Sequence, residues 1–215
     1  MEKPWQVIAL IALTGFAMTA CGNAARPAPL TLSGQVLELI DGGHYLSDTL
    51  SGILTSSLGS EGTVINGQLD FTIGVPDLSH LQSIEYLFQT IFNPGGINYT
   101  NVIFSVTGAK AASFHTLNGT TKNGDTFIIQ RVGNSIYGAI ETVSYIFVDR
   151  DVTISAEGKV AVETGFITFD NMELQLQRGW NVLYHKADFF KFPFIVTIEV
   201  INRNDSPYYR LIWLR

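Results

Sequence analysis

The chain has 215 residues, with 13 Lys and Arg against 19 Asp and Glu, for a formal net charge of -6. That mildly acidic balance, without runs of like charge, argues against nucleic acid and against an anionic bilayer face as partners. Residues are 46% hydrophobic and only 15% charged, and there is one cysteine, so the composition excludes a disordered chain and demands a core built without disulfides.

In chain order, an apolar run from Val7 to Ala20 ends at Cys21. Lys3 gives a positive start that Glu2 offsets, and Thr14 and Gly15 interrupt a stretch shorter than the ~20 residues of a membrane span. Met18-Thr19-Ala20-Cys21 places small side chains at the two positions before the cysteine. In this it resembles the lipobox of bacterial lipoprotein signals. The resemblance implies that residues 1–20 are a signal peptide and that Cys21 becomes the N-terminus and carries three acyl chains. One chain binds a bilayer only marginally, at ~0.8 kcal/mol per buried methylene, whereas three make release negligible. Gly22 is not the aspartate that retains some lipoproteins at the inner membrane. The resemblance therefore points to the bacterial cell envelope, with the outer membrane favoured. Residues 21–30 form the lipidated tether, rich in small residues and holding Pro27 and Pro29. Residues 31–215 are expected to fold as a single domain.

Beyond the tether the dominant signal is period two, the mark of half-buried strands. Strands are predicted over 30–40 and 46–56. Asn66 and Gly67 have the chemistry of a tight hairpin turn, followed by Leu69, Phe71 and Ile73 alternating with Gln68, Asp70 and Thr72. From Asp77 to Phe92 the spacing turns helical, with Leu78, Leu81, Ile84, Leu87, Phe88, Ile91 and Phe92 on one side. Such a helix packs on a sheet, either plugging one end or covering one face. Further strands are predicted over 101–106, 125–132, 136–148, 152–156 and 159–169, with residues 118–124 as a polar loop. Asn171 to Gln177 alternates without a fault, and a three-residue loop at Gln177-Arg178-Gly179 would set Leu176 opposite Trp180 and Leu174 opposite Val182. Strands at 194–201 and 208–214 complete the chain. The expected fold is mainly β: an antiparallel β-sandwich of roughly ten strands with one amphipathic helix.

Two patches, Asp149-Arg150-Asp151-Val152-Thr153-Ile154 and Arg178-Gly179-Trp180-Asn181, resemble a loose group of uncharacterised bacterial exported proteins and lipoproteins. That resemblance implies a β-rich exported domain and brings no activity with it.

Candidate chemistry is sparse. In a strand Asp149 and Asp151 would share a face and could contribute to a hard-cation site, but Arg150 between them is a ready partner, and the cluster reads as a turn pinned by a local ion pair. His44, His80, His115 and His185 lack zinc-motif spacing, and Gly133-Asn134-Ser135-Ile136-Tyr137 fails the nucleophile-elbow pattern at its last position. No catalytic residue, metal ligand or cofactor is assigned. Phe189, Phe190, Phe192 and Phe194 cannot all be hidden under simple alternation. They form either an apolar patch for a partner or a loop tucked over the sandwich end. The expectation is a lipid-anchored envelope protein with a non-catalytic binding or structural role. Its partners are the membrane, through the lipid, and an envelope protein or glycan. The alternative is an exported hydrolase whose site assembles from separated loops.

Overall fold

Alternation of apolar and polar side chains dictates strands wherever one face can be buried, and sixteen are present among the described residues. The computed structural model describes residues 27–40, 43–46, 48–92, 102–132, 139–162, 165–188, 195–200 and 210–214. The signal segment 1–20, Cys21 and the four phenylalanines Phe189, Phe190, Phe192 and Phe194 lie outside the described residues.

The strands are β1 (Leu30–Ile40), β2 (Gly43–Leu46), β3 (Gly52–Ser56), β4 (Glu61–Ile65), β5 (Gln68–Ile73), β6 (Gln82–Ser83), β7 (Val102–Phe104) and β8 (Lys110–Phe114). Then come β9 (Thr116–Thr121), β10 (Thr126–Val132), β11 (Ala139–Val148), β12 (Val152–Val162), β13 (Gly165–Leu176), β14 (Gly179–Asp188), β15 (Ile195–Val200) and β16 (Arg210–Leu214). One α-helix, α1 (Ile84–Phe92), follows β6.

Seven of these strands close on themselves in the order β16-β1-β5-β4-β3-β9-β10, because β10 pairs back onto β16. All contacts in this ring are antiparallel except β1 with β16, where Val36 stands beside Leu211. The Asn66 and Gly67 turn joins β4 to β5 as expected, both residues having positive φ (50° and 77°). Leu69, Phe71 and Ile73 point inward and are fully buried. Closure removes the exposed edges that an open sheet would leave.

The remainder is two-layered. β8, β11, β14 and β15 form one layer and β7, β12 and β13 the other, with β15 reaching β13 through Ile195 and Thr168. Ile146, Val148 and Leu183 of the first layer share a core with Val152, Ile154, Leu174 and Leu176 of the second. The mainly β architecture with one helix is as expected. The two-layer packing is confined to this half, whereas the first half closes into a barrel.

Two corrections concern connectivity. The loop at 177–179 does not make a hairpin: β13 pairs with β12, and β14 pairs with β11. Gly179 has the expected positive φ of 108°, but it serves an arch in which the chain leaves one layer and enters the other. Leu174 and Leu176 therefore lie in the core between the layers, the second core, while Val182 and Tyr184 lie in the barrel core. The helix begins later than its spacing suggested. Residues 78–80 make a single 3₁₀ turn, Gln82 and Ser83 pair with β8, and only then does α1 start. The Ser83 hydroxyl accepts from the Tyr86 N–H at 3.2 Å, capping the first turn. α1 packs into the core between the two layers through Ile84, Leu87 and Phe88, and the Ile84 N–H donates to the Ala109 carbonyl at 2.9 Å.

Candidate functional site

The outer wall of the barrel is where uncharged polar and aliphatic side chains converge on open space. On β3, β9 and β10 the inward residues are Leu54, Leu117, Phe127 and Ile129, all buried. Their neighbours in sequence must then point out. Pairing sets those outward residues in rows: Ile53 beside Thr120 and Thr120 beside Thr126, with Thr55 beside Asn118 and Asn118 beside Ile128. Together they line a trough of about 620 Å³. A second trough of about 410 Å³ continues across β3 to Thr63, Ile65 and Asn66 on one side and Lys122 on the other. Ile53 and Ile65 are each 61% exposed, an unusual degree for isoleucine on a sheet.

Glycine explains why the wall can be this smooth. The inward positions Gly52 and Gly119 carry no side chain, and the Phe127 ring lies against their backbone. A β-carbon at Gly119 would collide with that ring. Gly62 and Phe71 repeat the arrangement on β4 and β5. The troughs therefore have a floor of backbone braced from inside by aromatic rings. Chemically the walls offer hydroxyls (Thr55, Thr120, Thr126), one amide (Asn118) and aliphatic surface (Ile53, Ile128), volumes in the range of ligand sites.

The charged cluster predicted from sequence lies elsewhere and is committed to the fold. Asp149 receives a bidentate pair from Arg150, Nε to Oδ1 at 3.0 Å and Nη2 to Oδ2 at 2.8 Å, and also the Lys110 N–H at 2.9 Å. The Arg150 guanidinium hydrogen bond is the largest influence on Asp149 and holds its carboxyl below the ordinary aspartate range, against a smaller upward push from burial. Residues 149–151 are a second arch, carrying the chain from β11 in one layer to β12 in the other, and Asp151 ties it to the arch at 177–179 by accepting the Arg178 N–H at 2.7 Å. Glu85 accepts the Gly108 N–H at 3.0 Å. Burial pushes Glu85 up, but hydrogen bonds from backbone N–H groups and Ser83, with the charge of Lys110, outweigh it and leave the group lowered. The Asp149–Arg150 ion pair is the one expected of this turn, whereas Asp151 accepts a backbone N–H instead. Among the described residues no three His, Cys, Asp or Glu side chains gather to hold a metal ion.

The troughs are hidden in the sequence because residues 118–124 read as a polar loop. In β9 only Leu117 marks the buried face strongly; its inward partner is Gly119, so the period-two signal nearly vanishes. No family model, curated protein or solved structure matches the chain.

Proposed function

We propose that this protein is a bacterial envelope lipoprotein, anchored through a lipid on Cys21 and most readily at the outer membrane, whose β domain is a non-catalytic binding module. The trough on β3, β9 and β10 takes a neutral, hydroxyl-rich ligand, for which glycan chemistry is the best match. The observation that carries this reading is the lining itself: three threonine hydroxyls and the Asn118 amide interleaved with Ile53 and Ile128. Such a surface exchanges hydrogen bonds with hydroxyls and covers the apolar faces of sugar rings without needing charge.

Two experiments test the two halves separately. Labelled palmitate should enter the wild-type chain and not Cys21→Ser; equal incorporation rejects the anchor. Calorimetric titration with neutral gluco- and N-acetylgluco-oligosaccharides should give saturable binding to wild type that Asn118→Arg abolishes. Asn118 is exposed, so that variant keeps the fold. Absence of saturable binding to every oligomer, or binding untouched by the substitution, rejects the trough as a glycan site.

A further inference from the structure

One pole of the barrel couples the start of the described chain to an exposed apolar turn. β1 begins at Leu30 opposite Ile73, the last residue of β5, so the turn that starts at Gly74 leaves the sheet at the end where residues 27–29 enter it. The Trp180 indole N–H donates to the Gly74 carbonyl at 3.1 Å. Pro27 packs against Gly179, the neighbour of Trp180 in sequence, its β-carbon 3.2 Å from where a β-carbon on that glycine would sit. Within the turn Pro76 is buried, the His80 N–H donates to the Asp77 carbonyl at 2.9 Å, and the Leu81 N–H donates to the Leu78 carbonyl at 3.2 Å. The frame is fixed, yet Leu78 is 87% exposed and Val75 50%. Val75 and Leu78, three residues apart in one hydrogen-bonded turn, thus offer apolar side chains to whatever lies against it.

We infer that this turn faces the membrane, with Val75 and Leu78 seated at the headgroup–acyl boundary of the bilayer that holds the Cys21 lipid. The inference rests on the anchored reading above. Six residue steps separate Cys21 from Pro27, and in any conformation they span at most about 22 Å. The opposite pole, bearing the turn at Asn66 and Gly67 and the turn at 122–124, lies further off by the length of the barrel wall. Two apolar side chains alone bind a bilayer too weakly to hold a free protein there. The tether changes that, because it makes the contact intramolecular and raises its effective concentration. Asp77 and Glu61 stand at the same pole, so neutral rather than anionic headgroups suit it.

The test uses the full lipidated chain, in which lipid occupies Cys21 and an introduced thiol is unique. Ser79→Cys, beside Leu78, and Asn123→Cys, at the far pole, are labelled with a polarity-sensitive dye and reconstituted in phosphatidylcholine vesicles carrying nitroxide lipid. Palmitate incorporation is measured on the same preparations. Quenching at 79 should exceed that at 123 by about twofold or more, as expected for a turn seated ~5–10 Å into the interface. It should fall to the far-pole level when Val75→Asn and Leu78→Asn are added. Equal quenching at both positions, or quenching at 79 that survives those two substitutions, overturns the docking while the anchor stands. Absence of palmitate overturns the anchor and the docking with it.

Discussion

At the scale of single residues, what this fold lacks matters as much as what it contains. Phe127 occupies the inner volume that side chains at Gly52 and Gly119 would have filled, so adding one methyl at position 119 forces the ring or the wall to move. Gly119→Ala is expected to destabilise the protein by about 1–3 kcal/mol, the ordinary cost of overpacking. Urea unfolding measures it, and an unchanged midpoint would mean that the ring has somewhere else to go. Asn181 is the reverse case, a polar side chain 3% exposed that is fully employed. Its oxygen accepts from the Gln177 N–H at 3.0 Å, and its amide donates to the carbonyls of Gln177 at 2.8 Å and Gly179 at 3.1 Å. Those backbone groups sit where the chain turns from one layer into the other. Asn181→Ala leaves them dry, at about 1–3 kcal/mol for each group not reached by water. A loss under about 0.5 kcal/mol in the same unfolding assay would show that water replaces the amide without penalty.

At the scale of elements, the two arches explain both what could be read from the sequence and what could not. Alternation tells which residues share a face, and the faces of β1, β5 and the C-terminal part of β13 follow it. It does not tell which strand lies alongside. Leu176 and Trp180 are as compatible with an arch as with a hairpin until Asn181 is seen to plug the turn. From 143 to 148 β11 is buried on both sides, so its alternation disappears altogether. The trough was illegible for a related reason: outward Thr, Asn and Ile are what any solvated sheet face carries, and only the pairing register gathers them. The arches also set an acid limit on stability. Asp149 is held below its ordinary range chiefly by Arg150, so its ionised form favours the folded state. A lowered folded-state pKa gives stability that is complete above the ordinary carboxylate range and lost as pH falls through the lowered value. Asp149→Asn should therefore be less stable than wild type at neutral pH and lose less on acidification. Urea midpoints across that interval check this. Parallel pH profiles for the two proteins would rule out a stabilising role for the carboxylate.

At the scale of the whole molecule, the barrel and the layered half are not separable bodies, because one wall belongs to both. Val143 and Tyr145 of β11 and Val182 and Tyr184 of β14 pack into the barrel core, while Ile146, Val148 and Leu183 of the same strands pack into the second core. Melting either core exposes one face of that wall and removes half of what holds it in place. The two cores should consequently unfold in one transition. Leu174 tests this, being fully buried in the second core and remote in sequence from every barrel strand. Leu174→Ala should cost about 2–5 kcal/mol, the range for a leucine truncated in a packed interior. The loss should register equally in two probes. Far-UV circular dichroism reports the strands of both halves. Tryptophan fluorescence reports the barrel side, through Trp213 on β16 and through Trp180, whose ring packs edge-on against Phe114 and Phe147. Coincident midpoints, both lowered, are what a shared wall requires. If the fluorescence midpoint stayed at the wild-type value while the dichroism shifted, the barrel would be standing without its neighbour, and β11 and β14 would belong to it alone.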